Sequence, residues 1–302
     1  MSLQVETAWV NTFSDSFILL AQQKKSKLMP TVDAEPVKGE YAFFDQIGQA
    51  DMVQRTSRHA DTPFTQVPHD RRRLSMLDFE WGELIDSQDM VRTLKDPKSA
   101  YAQAAAAAAG RRMDLSIMQG IFADAQTGKT GATTVAFPAA QQIAVNYVET
   151  GSAIDSFLTI GKLRAARTLL EEAEVDEDEE LTIVVSPRQK QALLATTEVS
   201  NADFNPDVRR ELEGLKNGTL KKFMGFNFVT VAQKRMLLDG SGRVRVPVYA
   251  KSGVKFGIGE APVSNAAPDP TKSYNIRLHT KCTFGAIRME EAKVVEIKCL
   301  AS

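Results

Sequence analysis

One long helix constrains this chain more than any other feature of its sequence. Asp96 is suited to cap a helix, Pro97 fits the first helical position, and the helical pattern continues to about Ala125. A helix of this length runs about 43 Å at about 1.5 Å per residue. Its alanine run, residues 104–109, has high helix propensity and almost no side-chain bulk, so another backbone can approach closely. The C-terminal half carries a conventional buried face: Ile117, Met118, Ile121 and Phe122.

Two β-like runs precede this helix: Tyr41–Ser57 and Arg71–Ile85. The segment between them has two prolines and no regular period, as expected for a loop tip. The runs therefore predict one long hairpin with arms of about 40 Å at about 3.3 Å per residue. In the second arm Phe79 and Trp81 share one face with Leu77, whereas Leu74 and Met76 lie on the other. Because an isolated two-stranded hairpin is marginal, we expect something beyond its own domain to help cover both faces.

The predicted hairpin is rich in arginine. Between Gly39 and Leu94 there are six arginines and no lysine. Arginine forms planar, bidentate contacts with carboxylates and is favoured over lysine at protein interfaces. The arginines indicate either salt bridges to a neighbouring subunit or a solvated basic tip. Contact of the triplet Arg71–Arg73 with nucleic acid ranks below both.

The N-terminal segment, residues 4–26, predicts an amphipathic helix. Its apolar residues are spaced by fours and a three, which places them on one stripe: Val5, Trp9, Phe13, Phe17 and Leu20. The stripe needs a partner, either its own domain or another subunit. Residues 27–39 follow with two prolines and predict an extended arm.

Residues 127–272 alternate between helices and strands. We predict helices over 159–173 and 186–196 and a buried strand over 181–185, with further strands in the segments "GFNFVTVA" and "RVRVPVYA". Residues 273–300 predict a strand pair that turns near Met289–Ala292. No internal repeat is present, and the layout predicts an α+β protein.

The stretch "QTGKTG" resembles the end of a phosphate-binding loop, but it fails as one. The motif needs a glycine five positions before Gly128, where this chain has Ala123, and it must open a helix after a strand. The preceding residues read as helix, so linker chemistry explains the glycines better. No catalytic constellation, zinc spacing or calcium loop is found, and we predict no catalytic residues, metal or cofactor. The acidic run Glu171–Glu180 indicates a solvated loop, and Cys282 and Cys299 approach each other if the last strands pair.

The composition is that of an ordinary globular protein. The chain has 302 residues and a net charge of −1, which gives no support to a dedicated nucleic-acid-binding protein. No apolar run approaches the roughly 18 residues that span a bilayer, so we expect no membrane partner. Two cysteines are too few for a disulfide framework, which fits synthesis in a reducing cytoplasm.

The order of parts resembles the major capsid proteins of tailed bacteriophages, whose fold is named after phage Hong Kong 97. Two phrases are also similar to this family, "SPRQKQALLAT" and "ELEGLKNGTLKKFMGFNFVTV". The resemblance implies a Hong Kong 97-like capsid fold in five parts. These are an N-terminal arm (1–38), an extended-loop β-hairpin (39–86), a spine helix belonging to the peripheral domain (87–126), an axial domain (127–272) and peripheral-domain strands (273–302).

The resemblance implies a structural protein and not an enzyme. Copies would self-assemble as hexamers and pentamers into an icosahedral virion shell around double-stranded DNA, with the arm and the extended loop reaching neighbouring subunits. It implies assembly in the host bacterial cytoplasm, a portal protein and in some cases a cement or decoration protein. The expected inter-subunit contacts are Trp9, Phe13, Phe17, Phe64, Arg71, Arg72, Arg73, Leu74, Met76, Phe79 and Trp81.

Two departures from the family limit what carries over. Some relatives join a loop lysine to an asparagine, but no lysine lies between Lys38 and Lys95, so we expect a noncovalent shell. Only about forty residues precede the hairpin, so we expect a separate scaffolding protein or none. The alternatives are an encapsulin-type nanocompartment shell, an α+β enzyme and a soluble DNA-binding module.

Overall fold

The computed structural model describes residues 22–58, 61–62, 64–85, 98–149, 151–176, 178–195 and 221–301. Several predicted features lie outside these residues: most of the terminal helix with Trp9, Phe13 and Phe17, then Asp96, Pro97 and residues 211–220. The described part contains three α-helices, α1 (Lys98–Phe122), α2 (Ile160–Glu172) and α3 (Pro187–Ala195).

Fourteen strands lie in the described ranges, so the α+β prediction is confirmed. They are β1 (Asp33–Pro36), β2 (Tyr41–Ile47), β3 (His69–Ser75), β4 (Leu77–Ile85), β5 (Ala125–Thr127), β6 (Thr133–Val135), β7 (Gln142–Ile143), β8 (Leu181–Val185), β9 (Lys222–Phe223), β10 (Phe226–Thr230), β11 (Val244–Ala250), β12 (Val254–Asp269), β13 (Asn275–Arg288) and β14 (Val294–Cys299).

The contacts divide the chain into two compact units. The first unit comprises Met1–Ser26, Asp78–Arg111 and Glu260–Cys282, and the second comprises Lys27–Leu77, Arg112–Gly259 and Thr283–Ser302. Helix α1 and the strands β12 and β13 have residues in both units.

A six-stranded sheet forms the centre of the second unit, in the order β7-β14-β11-β8-β10-β9. Strand β8 is buried at all five positions, as its apolar run predicts, and it pairs in parallel with β10 and antiparallel with β11. Helix α2 begins after its cap Thr159, whose side chain accepts a hydrogen bond from the Lys162 N–H, and helix α3 begins after Ser186. Both helices therefore start where the sequence predicts, and Thr159 caps the first of them.

Helix α1 confirms the long helix, although it ends at Phe122 and not at Ala125. Its C-terminal half buries the predicted apolar face, from Ile117 to Phe122. A β-carbon added at Gly120 would lie 2.6 Å from the carbonyl oxygen of Ala286, so the backbone of β13 packs directly on the helix. In the second unit, therefore, another backbone approaches helix α1 closely at Gly120, which lies C-terminal to the alanine run.

The predicted long hairpin is partly wrong. Strands β2 and β3 pair antiparallel from Tyr41↔Ser75 to Ile47↔His69, as expected. The chain then leaves this sheet at Met76, and β4 joins a different one, in the order β1-β12-β13-β4. From Arg72 to Met76 the even-numbered side chains are buried, whereas in β4 Phe79 and Trp81 are the half-buried ones. Apolar residues on two faces therefore mark a change of sheet and not one strand covered on both sides.

The predicted pairing of the last two strands is also wrong. Strand β13 lies between β12 and β4, and β14 lies between β7 and β11. The turn falls where predicted, but it carries the chain from one sheet to another. Both Cys282 and Cys299 are buried and free, and the pairing that would bring them together is absent from the described strands.

The stretch "QTGKTG" forms the turn of a tight hairpin between β5 and β6. Gly128 and Gly131 have positive φ angles of 87° and 69°, and the Gly131 N–H donates to the Gly128 carbonyl at 3.0 Å. Only glycine adopts such angles without strain. Because strand β6 and not a helix follows Lys129, a phosphate-binding loop is excluded, and the flexible linker expected here is instead a paired turn.

Candidate subunit-contact surface

The inward face of the β2–β3 hairpin belongs to the core of the second unit. Ala42 and Phe44 pack against a buried cluster, which comprises Val37, Leu74, Met76, Ala125, Ile287 and Met289. Leu74 is 0% exposed, so its own chain already covers it, and Met76 is buried beside it. The expectation that Leu74 and Met76 need cover from outside their own chain is therefore wrong.

A network of buried charges fixes the base of the hairpin. Arg72 Nη2 donates to Glu291 Oε2 at 2.8 Å, and Arg288 Nε donates to Glu291 Oε1 at 3.4 Å. Both arginines are buried, so one carboxylate bridges two desolvated guanidinium groups. Gln46 adds a hydrogen bond from Nε2 to the Met289 carbonyl at 3.0 Å. The orientation of β2 and β3 is thus tied to the turn after β13.

Arg288 also caps the C-terminal end of helix α1. Its Nη1 donates to the carbonyls of Ile121 and Ala123 at 2.7 and 2.9 Å, and its Nη2 donates to Val135 at 3.1 Å. The carbonyls of Ile121 and Ala123 lie at the helix end, where carbonyl groups lack partners within the helix, and a cation there also complements the helix dipole. Burial lowers the pKa of the Arg288 guanidinium, and the nearby Glu291 carboxylate opposes that change. The hairpin base and the helix end therefore share one ion network.

The outward face of the hairpin is exposed and carries paired arginines. Arg71 Nε and Nη2 donate to the two carboxylate oxygens of Asp45 at 2.5 and 3.1 Å, and its guanidinium lies 5.6 Å from the ring of Phe43. The hydrogen bond from Arg71 lowers the pKa of the Asp45 carboxyl. Arg73 lies 4.8 Å from the Tyr41 ring and donates to Gln126 at 2.6 Å. Within one chain, then, Arg71, Arg72 and Arg73 already have partners.

The tip of the hairpin, residues 48–68, exposes large apolar side chains. The Gly48 N–H donates to the Pro68 carbonyl at 2.8 Å and closes the ladder. Beyond it Met52 is 103% exposed and Phe64 is 96% exposed, with Val53 and Ile47 also largely exposed. Phe64 was predicted as a contact, whereas Ile47, Met52 and Val53 were missed. Single apolar residues in an irregular segment have no period by which sequence reasoning detects them.

Phe79 and Trp81 lie in the first unit, on strand β4. Both side chains are half-buried on the same face, whereas Leu84 on the opposite face is exposed. In this unit the Cys282 thiol donates to the Phe79 carbonyl at 3.8 Å. The role of Phe79 and Trp81 as contacts with a neighbouring subunit stays a prediction.

The described residues contain no group of three or more His, Cys, Asp or Glu side chains that would hold a metal ion. None of the described helices is long and apolar enough to cross a membrane. The most distinctive feature of the described residues is therefore the β2–β3 hairpin. Its base is held by the ion network, its outward face carries arginines and aromatic rings, and its tip exposes apolar side chains.

Comparison with known proteins places these features in a family. The model of the phage capsid protein family matches residues 5–301. The capsid of Ralstonia phage GP4 is similar with a TM-score of 0.70 and 10% identity, covering 98% of this chain and 96% of that one. The cyanophage P-SCSP1u capsid has a TM-score of 0.69 and 14% identity, covering 99% and 95%. Mycobacterium phage Che8 has a TM-score of 0.67 and 16% identity, covering 96% and 97%.

At these identities the similarity establishes the fold, which is the Hong Kong 97-like capsid fold that the order of parts predicts. No curated protein sequence matches the chain.

Proposed function

The chain belongs to the phage capsid protein family, and we propose that copies of it form the icosahedral shell of a tailed phage as hexamers and pentamers. As a major capsid protein it has a structural role in the virion, and the family implies no enzymatic activity. The encapsulin alternative is not favoured, because the family match and the similar structures are phage capsids.

The observation that carries the proposal is the apolar tip on an anchored hairpin. Scattered exposed apolar residues are ordinary in soluble proteins, whereas several large ones on one projecting segment favour an interaction site. Here Met52, Val53 and Phe64 project from strands whose base is held by the Arg72–Glu291 ion pair. A rigid base with an apolar end suits a hairpin that lies across a neighbouring subunit. Many such modest contacts are then summed over a closed symmetric shell.

The five-part division predicted from the sequence is part of this proposal. Residues 1–38 act as the arm and 39–86 as the extended loop; 87–126 and 273–302 belong to the peripheral domain, and 127–272 form the axial domain. Of the predicted contacts, Trp9, Phe13, Phe17, Phe64, Phe79 and Trp81 are assigned to neighbouring subunits. The arginine-aromatic face of the hairpin is assigned to the same interface.

The shell is noncovalent in this proposal, because no lysine between Lys38 and Lys95 is present to link the extended loop to a neighbour. Assembly takes place in the host cytoplasm with a separate scaffolding protein and a portal protein, and a decoration protein binds some shells. The packaged double-stranded DNA makes only non-specific contacts, in keeping with a net charge of −1.

Expression of the chain alone tests the proposal, with electron microscopy and light scattering as readouts. The expected result is closed polyhedral particles or free hexamers and pentamers. A discrete monomer or dimer, even with a candidate scaffolding protein co-expressed, contradicts it.

A further inference from the structure

A cleft lies beside the base of the hairpin in the second unit. It has a volume of about 220 Å³ and is lined by the end of β3, the start of β4, the C-terminal part of α1 and a segment of β13. Leu77, Gly120, Ala123, Ala286 and Ile287 supply apolar lining. Apolar cavities of about 150 Å³ hold a benzene molecule, so this cleft has room for a phenyl ring.

The cleft also contains an unsatisfied polar group. Ser116 lines it, is only 8% exposed, and its Oγ has no hydrogen-bond partner among the described residues. A buried hydroxyl without a partner costs about 1–3 kcal/mol, so native structures supply one in nearly every case. Ser116 therefore points to an occupant that carries both an apolar group and a donor or acceptor.

We infer that the cleft receives Phe64 from the hairpin tip of a second copy, with a flanking threonine hydroxyl as the partner of Ser116. Phe64 is the large aromatic that the tip leaves 96% exposed, and Thr62 and Thr65 flank it. Buried aromatic anchors that fill a pocket dominate the energetics of protein interfaces. The inference rests on the proposed function and names the receptor for the extended loop.

Both surfaces carry charges of both signs. Arg73 and Asp124 line the cleft, and the tip exposes Arg55 and Arg58 together with Asp51 and Asp61. Opposite charges at the rim of an interface favour correct association and fix its register.

The tip of the same chain does not fill this cleft. Strand β3 separates Phe64 from Ser75, which lines the cleft, and its seven residues span about 20 Å. The strand is paired with β2 along its whole length, so it does not fold back. When each copy gives its tip to the next and receives one from the last, the contact is heterologous, and it closes into a ring where the rotation between neighbours divides a full turn. That is the arrangement a hexamer or pentamer requires.

Disulfide trapping tests the pair directly. Thr65→Cys, which keeps the Phe64 ring, is combined with Gln119→Cys, because Thr65 and Gln119 are exposed and Gln119 lines the cleft. A disulfide forms only when the two α-carbons come within about 7 Å. The two single variants are the controls, since the native cysteines are buried. A second pair, Thr65→Cys with Ala123→Cys, covers the case in which the first pair fails to assemble.

Assembled particles are oxidised, denatured without reductant and separated by electrophoresis. The expected result is that most subunits of a double variant run as covalent multimers up to the size of a ring, whereas the single variants run as monomers. Particles without these links overturn the inference and leave the proposed function standing. A link within one subunit also overturns it, as does trapping of Gln119→Cys by Phe17→Cys of the arm in place of the tip. If the wild-type chain forms no particles or rings, the proposed function itself has failed.

Discussion

Replacing Glu291 by glutamine should destabilise the subunit, because this carboxylate neutralises two buried arginines. Its Oε2 lies 2.8 Å from Arg72 Nη2 and its Oε1 lies 3.4 Å from Arg288 Nε. Glutamine is nearly the same size but has no charge. The variant therefore removes the electrostatic contribution while it leaves the packing almost unchanged.

The size of the loss in the free energy of unfolding depends on the partners that each arginine keeps in the variant. Removing one partner of a buried ion pair costs about 3–5 kcal/mol. Glu291 is 24% exposed, so water reduces this value, and Arg288 retains its bonds to three backbone carbonyls. Arg72 retains Asp70 at 3.5 Å. We therefore expect a loss of about 2–3 kcal/mol in the free energy of unfolding. With a slope of about 3 kcal/mol per molar urea, the midpoint falls by about 0.7–1 M.

Urea unfolding of dissociated subunits, followed by circular dichroism, measures this loss. The matched control is Glu290→Gln in the same turn, whose side chain is 49% exposed and whose ion pair with Lys293 measures 3.4 Å. An exposed pair contributes about 0–1 kcal/mol, so the control should unfold almost as the wild type does. Equal midpoints for the Glu291 and Glu290 variants would refute the bridging role of Glu291.

Three further predictions concern the second unit. Lys162→Met removes a buried ammonium whose Nζ has four backbone carbonyl oxygens within hydrogen-bond distance. It should lower the free energy of unfolding by about 2–4 kcal/mol, whereas the exposed Lys234→Met should change it by under about 0.5 kcal/mol in the same urea titration. Gly120→Ala should lower the melting temperature despite the better helix propensity of alanine, because the added β-carbon would lie 2.6 Å from backbone. The control Gly161→Ala should not lower it, because its added β-carbon meets only a flexible side chain at 3.3 Å. Burial raises the pKa of the Cys299 thiol to about 12. At pH 8 this thiol should therefore react with a disulfide reagent only after the subunit is unfolded. Rapid reaction of Cys299 in the folded protein would contradict its burial.

Local patterns predicted the individual helices and strands well. Helix α1 and strand β8 were found because a long helical period and a short apolar run are set by neighbouring residues. The starts of helices α2 and α3, near Thr159 and Ser186, were found for the same reason. Each of these signals is complete within about one turn or one strand.

Pairing between strands was harder to predict, because it depends on residues far apart in the chain. The alternation of apolar and polar residues around Met76 is the same in two cases: one strand covered on both faces, or two successive strands in different sheets. The long β12–β13 hairpin was missed because its outer half, from Glu260 to Asp269, is exposed and rich in alanine and proline.

The candidate site was predicted only in part, for the same physical reason. The sequence directed attention to the triplet Arg71–Arg73 and to Phe64. Sequence reasoning did not reveal that Arg72 is buried against Glu291, which lies 219 residues further along the chain. Nor did it reveal that Leu74 is covered within its own chain.

The most direct test of the central claim is the particle size of a subunit with a trimmed hairpin. Residues 49–67 are replaced by Asn-Gly, which forms a tight turn between paired strands and keeps the closing bond from Gly48 to Pro68. A matched variant, Met52→Ser with Phe64→Ser, retains the loop but removes its largest exposed apolar groups.

Sedimentation velocity and circular dichroism are measured for both variants and the wild-type chain. The account predicts folded subunits in all three cases, shells for the wild type, and no stable shells for the trimmed variant, with the serine variant greatly weakened. Normal shells from the trimmed variant would contradict the claim that the hairpin tip holds neighbouring subunits together.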